Sequence, residues 1–419
     1  MPSRRLLPVV ALLAAAFPSY AQAPASPSAE PRMSYDRVVA QLRSPEADVR
    51  RDGLRALGAT GYPDAIAPIS QLLADPEDDI QLEAIFTLLS FYHVEKPAVV
   101  KRRRGLVVET RSRSAAQAIY ERGPFGLIPQ PVPIELTNAL GQAMFDNSAR
   151  VRREAVYGLG VMGRSPLDSY AADALARSLQ DRDTDVREAA ARVIGGLRVT
   201  TAGDALVAAL NDDQTRVATA AMRSLGDIKA WQALQALTDQ FQYYQSKGPR
   251  AEAAFDALAR IAHASSQPMF SAQLTSSSAN LRRLAGEGLA RSGNREAAQQ
   301  AAAALAGDRE RDVQLAGTFA AVSGGGPGSS GVGGLIAALD NGAFHEQAMS
   351  YLVELGPRAV AGLEQAMAAP DVDTRERVTM VLGFIGGEQA LQLLDRARGD
   401  ADLRVVRAAE RAIARLRKA

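Results

Sequence analysis

The feature that most constrains this chain is a unit that recurs along it. Its clearest copy is Asp183-Thr184-Asp185-Val186-Arg187-Glu188-Ala189-Ala190-Ala191-Arg192-Val193-Ile194-Gly195-Gly196. Val186, Ala189, Ala190, Val193, Ile194 and Leu197 follow the i, i+3, i+4 spacing that puts apolar side chains on one stripe of an α-helix. Asp183, Thr184 and Asp185 precede it, and short oxygen-bearing side chains there satisfy first-turn N–H groups and suit the positive end of the helix dipole. Gly195-Gly196 is expected to lower helix propensity at the far end and to permit a left-handed exit.

A shorter stripe follows at Ala205, Leu206, Ala209 and Leu210, and Asn211-Asp212-Asp213 turns the chain into the next unit. Helices this short are marginal alone in water. Burying one Leu or Val contributes roughly 1.5–3 kcal/mol, so one pair cannot offset its own ordering entropy and must stack on a neighbour. The chain repeats accordingly. Val49 and Gly58, Val151 and Gly160, Val186 and Gly195, and Val217 and Gly226 are each nine apart. Val151 to Val186 is 35 residues, Val186 to Val217 is 31, and Val313 to Val406 is 93, or three units of 31.

These spacings, with Val-Arg after a polar turn at Val49-Arg50, Val151-Arg152 and Val186-Arg187, resemble HEAT-like repeats of the subclass named after phycobilisome lyases. The resemblance implies an all-α fold: a right-handed α-solenoid of about eleven stacked antiparallel helix pairs, with the Val-Arg helices on the concave side. It also implies a polar ladder between turn Asp and helix Arg. Pairs such as Asp181 with Arg187 would carry it, as would Asp75 with its counterpart, and Ile80-Gln81 would break it.

At the N-terminus, Arg4-Arg5, the apolar run Leu6 to Phe17 and the small residues Ser19 and Ala21 read as a signal peptide over residues 1–21. The run is too short to span a membrane. Residues 22–32, rich in Pro, Ala and Ser, read as a disordered leader, and residues 33–419 as the solenoid. Loss of 1–21 removes two arginines and leaves 46 basic against 47 acidic residues, near −1. That balance argues against a nucleic-acid partner. There is no cysteine, hence no disulfide, and export to the periplasm or beyond is the expected location.

Two stretches interrupt the period. The first, residues 95–132, holds Lys101, Arg102, Arg103, Arg104, Arg111 and Arg113, and from Lys101 to Arg122 counts seven basic and two acidic residues. Ser114 to Tyr120 has the pattern of a helical turn. The six cations are the candidate partner-binding residues, for an acidic protein face or another anionic surface of the envelope. The second, Ser323 to Gly334, is mostly Gly and Ser and reads as a flexible connector, because no phosphate-loop lysine follows it.

No catalytic constellation emerges. His345-Glu346 begins like a metalloprotease motif, but Met349 stands at the second histidine position. The deoxyhypusine hydroxylases, which share these repeats, hold iron with several His-Glu pairs, whereas this chain has one. No metal, cofactor or catalytic residue is assigned. Arg398-Gly399-Asp400 is read as a chance tripeptide in a turn, and Trp231, Phe241, Tyr243 and Tyr244 as core packing. The expected function is an exported, non-catalytic scaffold that binds another protein along its concave surface. The competing readings are a lyase- or hydroxylase-like enzyme on the same fold, and an envelope-surface adaptor working through the basic insertion.

Overall fold

A computed structural model describes residues 34–92, 114–121, 123, 131–164, 166–244, 247–325, 330–340 and 342–417. They form 23 α-helices and short 3-10 turns, with no strand among the described residues. Eleven antiparallel pairs account for 22 helices. The second members are α2 (Ala47–Thr60), α4 (Asp78–Tyr92), α7 (Ala149–Met162), α9 (Thr184–Gly196), α11 (Thr215–Asp227), α13 (Gly248–Ile261), α15 (Ala279–Arg291), α17 (Arg311–Ser323), α19 (His345–Leu355), α21 (Val372–Ile385) and α23 (Leu403–Leu416). Most of the first members are shorter, and several open with a 3-10 turn, as do α3 (Ile66–Ser70), α10 (Gly203–Ala209), α12 (Leu234–Tyr243) and α14 (Gln267–Gln273). The remaining helix, α5 (Ala115–Glu121), belongs to the first interruption.

Successive second helices pack closely on one another along most of the stack, α17 and α19 excepted, whereas most successive first helices meet weakly. The stack therefore curves with the second helices inside. Val186, Ala189, Ala190, Val193 and Ile194 are fully buried between units. Asp183 caps α9, its carboxylate accepting from the N–H groups of Asp185 and Val186. At the C-terminal end the copy numbering needs a correction: Val405, not Val406, is the buried residue of α23.

The glycines serve a different purpose from the one expected. Gly195 lies within α9, and a Cβ there would sit 2.9 Å from the Cα of Ser224. Ser224 uses the approach to donate to the Ala191 carbonyl at 2.6 Å. The left-handed exit falls instead on Arg198 (φ 52°), and one unit later on Lys229 (φ 55°). Each is closed by a six-residue hydrogen-bond loop, Val199 N–H to Ile194 O and Ala230 N–H to Leu225 O, both at 3.0 Å.

The polar ladder exists with a different register. Arg187 pairs with Asp212 of the next unit at 2.7 Å and meets Asp181 only by donating to its carbonyl, at 2.8 Å. Asp181 pairs with Arg152 of the preceding unit, and Asp75 with Arg50. Arg282–Asp308 and Arg375–Asp400 repeat the geometry at 2.7 and 2.8 Å. Asp400, the last residue of the adhesion-like tripeptide, is thus a structural rung. Each guanidinium also donates to carbonyls of its own turn, which ties a turn to its successor. At Gln81 the ladder continues as a neutral rung, with Nε2 donating to Asp146 at 3.0 Å.

The Gly-rich connector is shorter than expected, because α18 (Ser330–Ile336) begins within it. Gly331 faces Val322, where a Cβ would come within 2.7 Å, and close packing on α17 offsets the low helix propensity of glycine. The aromatic group around α12 is only partly core. Phe241 is buried and stacked on Phe255 with centroids 4.6 Å apart, but Trp231 and Tyr243 are 71% and 79% exposed.

Candidate functional site: a bounded cleft on the inner face

Two elements lie across the inner row and turn an open concave face into a bounded cleft. The first is α5. The carboxylate of Glu154 on α7, itself buried, accepts from the first-turn N–H of Ala116 at 3.1 Å. Burial pushes the Glu154 carboxyl up, against the pull of this N–H and the Ser114 hydroxyl. Tyr120 then reaches over α9 and donates to the Arg192 carbonyl at 2.8 Å. Gly160 and Gly196 make room for its ring, which a Cβ at either would strike. Arg192 sits against both the Tyr120 and Tyr157 rings and pairs with Glu121 at 3.0 Å.

The second element is α19. It reaches past α17 to α15 through Tyr351, whose hydroxyl donates to Glu287 at 2.6 Å, and through Glu354, which pairs with Arg291 at 2.7 Å. Phe319 of α17 stacks on Tyr351 at 4.6 Å beneath this bridge. Glu287 is the hub. Arg283 and Arg291 both pair with it, and burial, which alone would raise its carboxyl, is outweighed by these two cations, so it stays below the ordinary range. The Tyr351 hydroxyl is pushed well up by burial and by the Glu287 charge.

Between these elements lies a cleft of about 920 Å³, floored by α11 and α13 and walled by α15 and α19. Six basic and six acidic residues line it. Arg260 at its centre holds Asp227 at 2.9 Å and Asp256 at 3.0 Å. Desolvation raises the Asp227 carboxyl, against the pull of Arg260. Lys229 donates to the Arg260 carbonyl, and desolvation, with Arg291 nearby, lowers its ammonium. Arg198, Arg223 and Lys229 line the α9–α11 side, and Glu252 and Glu346 the α13–α19 side. Among the described residues none of the five forms a direct ion pair, although Asp227 acts on Arg198, and Glu354 and Asp227 act on Lys229, from farther off. The cleft is therefore polarised: spare positive charge at one end and spare negative charge at the other.

Of the residues singled out in the sequence, Lys101, Arg102, Arg103, Arg104, Arg111 and Arg113 lie outside the described residues. The turn proposed at Ser114 to Tyr120 is α5. His345 opens α19, its Nδ1 3.1 Å from the Gly342 carbonyl. Among the described residues no group of His, Cys, Asp or Glu is arranged to hold a metal ion. The rungs at Arg282 and Arg375 escaped the sequence reading because Leu281 and Thr374 replace the valine of the signature. The six-residue step from a turn residue to its arginine, as in Asp146 to Arg152 and Ser276 to Arg282, would have found them. Glu287 is marked locally only by Arg283 and Arg291 four residues to either side, and nothing local marks Tyr351 or Tyr120, whose partners are 64 and 72 residues away.

Comparison with known proteins agrees with this architecture. Residues 172–254 match the family model for HEAT repeats, and residues 49–75 match that for the PBS lyase HEAT-like repeat. Two stretches of the chain thus carry HEAT-type repeats, the earlier of them of this PBS-lyase type. No curated protein sequence matches it. Among solved structures, an engineered protein is 18% identical, with 91% of this chain and 98% of that one covered and a TM-score of 0.42. Human deoxyhypusine hydroxylase in complex with glycerol is 20% identical over 67% of this chain and 96% of that one, with a TM-score of 0.29. The complex of CpcE and CpcF of phycocyanin lyase from a Nostoc species is 18% identical over 81% and 100%, with a TM-score of 0.31. Similarity at these levels bears on neither activity nor partner. No helix among the described residues is long and apolar enough to cross a membrane.

Proposed function

We propose that this protein is an exported, non-catalytic scaffold that holds a segment of another, envelope-associated protein in the inner-face cleft between α5 and α19. The observation that carries this reading is the division of charge in the cleft. Glu287, Arg260, Arg283 and Arg291 are engaged within the protein and set its shape. Arg198, Arg223 and Lys229 at one end, and Glu252 and Glu346 at the other, are left to a partner of opposite polarity. Charges arranged in this way steer association and fix register.

A photo-crosslinking residue at Arg223 tests the reading in cells. One discrete protein adduct is expected, lost when Arg198 and Lys229 are both changed to Glu, and absent when the crosslinker replaces Gln300 on the outer helix α16 (Arg295–Leu305). Adducts formed only from the outer face would overturn it. Export is tested separately by the N-terminus of the isolated protein, expected at Gln22. The raised Asp227 carboxyl and lowered Lys229 ammonium favour, as a second reading, an acid–base enzyme in the same cleft. A substrate whose turnover ceases in Asp227→Asn and Lys229→Met would replace the scaffold with it. The adaptor role of Lys101 to Arg104 requires sedimentation with anionic vesicles that disappears when the four are neutralised.

A further inference from the structure

Next to the cleft, the inner face already holds a carboxylate. Arg192 stands six residues after the buried Val186 on α9, and it pairs at 3.0 Å with Glu121 of α5, a segment that comes to it from 71 residues away. One unit on, Arg223 stands six residues after the buried Val217 on α11. Stacked units present equivalent positions on the same face, so Arg223 is the next seat in the row. It is exposed, it lines the cleft, and its side chain makes no hydrogen bond or ion pair among the described residues.

The exits of the second helices point to the same end of the cleft. After α2, α15, α17, α19 and α21 the chain turns through a positive φ at Gly61, Gly293, Gly325, Gly356 and Gly386. After α9, α11 and α13 the turn falls on Arg198 (φ 52°), Lys229 (φ 55°) and Ala262 (φ 53°), where a Cβ makes this backbone costly. Two of the three have a local reason. Ala262 is buried, and Lys229 donates to the Arg260 carbonyl, which ties α11 to α13. Arg198 has neither. It is exposed, it lines the cleft, and its side chain makes no hydrogen bond or ion pair among the described residues. Asp227 acts on it from farther off, but that carboxylate is held by Arg260 at 2.9 Å. The dipole of α9 favours a cation at its C-terminus, yet weakly at an exposed site. Backbone strain that nothing local offsets marks a side chain kept for a ligand.

We propose that Arg198 and Arg223 anchor the occupant of the inner-face cleft by taking the carboxylates of an acidic stretch, two or more Asp or Glu side chains, in the partner polypeptide. This rests on the scaffold reading and adds the chemistry that holds the segment at this end. A guanidinium takes a carboxylate through two parallel N–H bonds. The two arginines rise from separate elements, the exit of α9 and the middle of α11, so two carboxylates complement them better than the one a chain terminus supplies. The precedent at Arg192 is likewise a glutamate side chain within a segment. Lys229, engaged with Arg260, adds positive charge beside them.

Calorimetry on the full chain at physiological ionic strength with acetyl-hexaglutamate amide tests it, with acetyl-hexaglutamine as the amide and as the free acid for comparison. Saturable binding of the glutamate peptide is expected, at least tenfold tighter than either glutamine peptide. Arg223→Ala and Arg198→Gly should each weaken it at least tenfold. Arg198→Gly also relieves the left-handed backbone, so its melting temperature should rise while its affinity falls. Arg407→Ala, which removes an exposed arginine of α23 outside the cleft, should bind as wild type does. An Arg198→Gly protein that melts below wild type would mean that the side chain serves the fold, and would overturn the proposal. So would no saturable binding, undiminished binding by Arg198→Gly or Arg223→Ala, or an equal loss in Arg407→Ala. A free-acid glutamine peptide that binds as tightly as hexaglutamate would overturn the assignment to acidic side chains. In each of these cases an in-cell adduct from the cleft would leave the scaffold reading intact.

Discussion

Replacing Glu287 with Ala probes the device that fixes α19 across the inner face. Glu287 is 4% exposed and joins Arg283, Arg291 and Tyr351, so the substitution strips three donors of their acceptor at once. Removing one member of a buried, hydrogen-bonded ion pair costs about 3–5 kcal/mol, because the remaining charge stays buried without compensation. Part of that cost is relieved here. Arg291 keeps Glu354 and its seat over the Phe319 ring, Arg283 keeps Asn280, and the Tyr351 oxygen still accepts from Gln347. The lower end, about 3 kcal/mol, is therefore expected. Glu287→Gln retains an acceptor and the shape, and should cost about 1–2 kcal/mol, near a single lost charge-assisted bond. Urea unfolding reads the totals, and hydrogen exchange reads where they fall: α19 and α15 should lose protection while α9 keeps it. A Glu287→Ala protein that unfolds within about 0.5 kcal/mol of wild type, inside the range of ordinary surface substitutions, would refute the hub.

Two further outcomes follow from the same geometry. Gly195→Ala should destabilise by about 1–2 kcal/mol, because the new Cβ meets the Ser224 backbone and the overpacking exceeds the helix-propensity gain, whereas Gly333→Ala, which meets nothing within 4 Å, should stabilise by up to about 1 kcal/mol; thermal melts of the two variants separate these directions. The ladder should make stability fall in acid. Arg282 holds the Asp308 carboxyl down to about 2, and Arg375 holds Asp400 low in the same way. Groups depressed in the folded state contribute fully above the ordinary carboxylate range, and that contribution is lost as pH drops from about 4 towards 2. Urea midpoints across this window should decline less steeply in Asp308→Asn than in wild type.

The parts of this fold that the sequence reveals are those set by local periodicity. The stripe from Val186 to Ile194 and the cap at Asp183 are properties of one helix, and both appear where the spacing puts them. The glycines misled because close approach to Ser224 is a relation between units, while a left-handed exit is a local habit that Arg198 and Lys229 adopt without glycine. The ladder partners were paired within one turn, Asp181 with Arg187, because sequence proximity cannot show that each guanidinium reaches forward to the next Asp. The cleft was illegible for a deeper reason. It exists because α5 and α19 leave the repeat geometry and lie over the inner row, and their anchors, Tyr120 and Tyr351, are single aromatics in unremarkable surroundings.

Native-state hydrogen exchange resolved helix by helix tests most directly the idea that neighbouring second helices hold the stack together. Amides of α9, α11, α13 and α15 should be the slowest in the chain, and the shorter first members α10, α12 and α14, which meet their counterparts weakly, should exchange clearly faster. Equal protection in the two rows, or slower exchange in the outer one, would contradict the account.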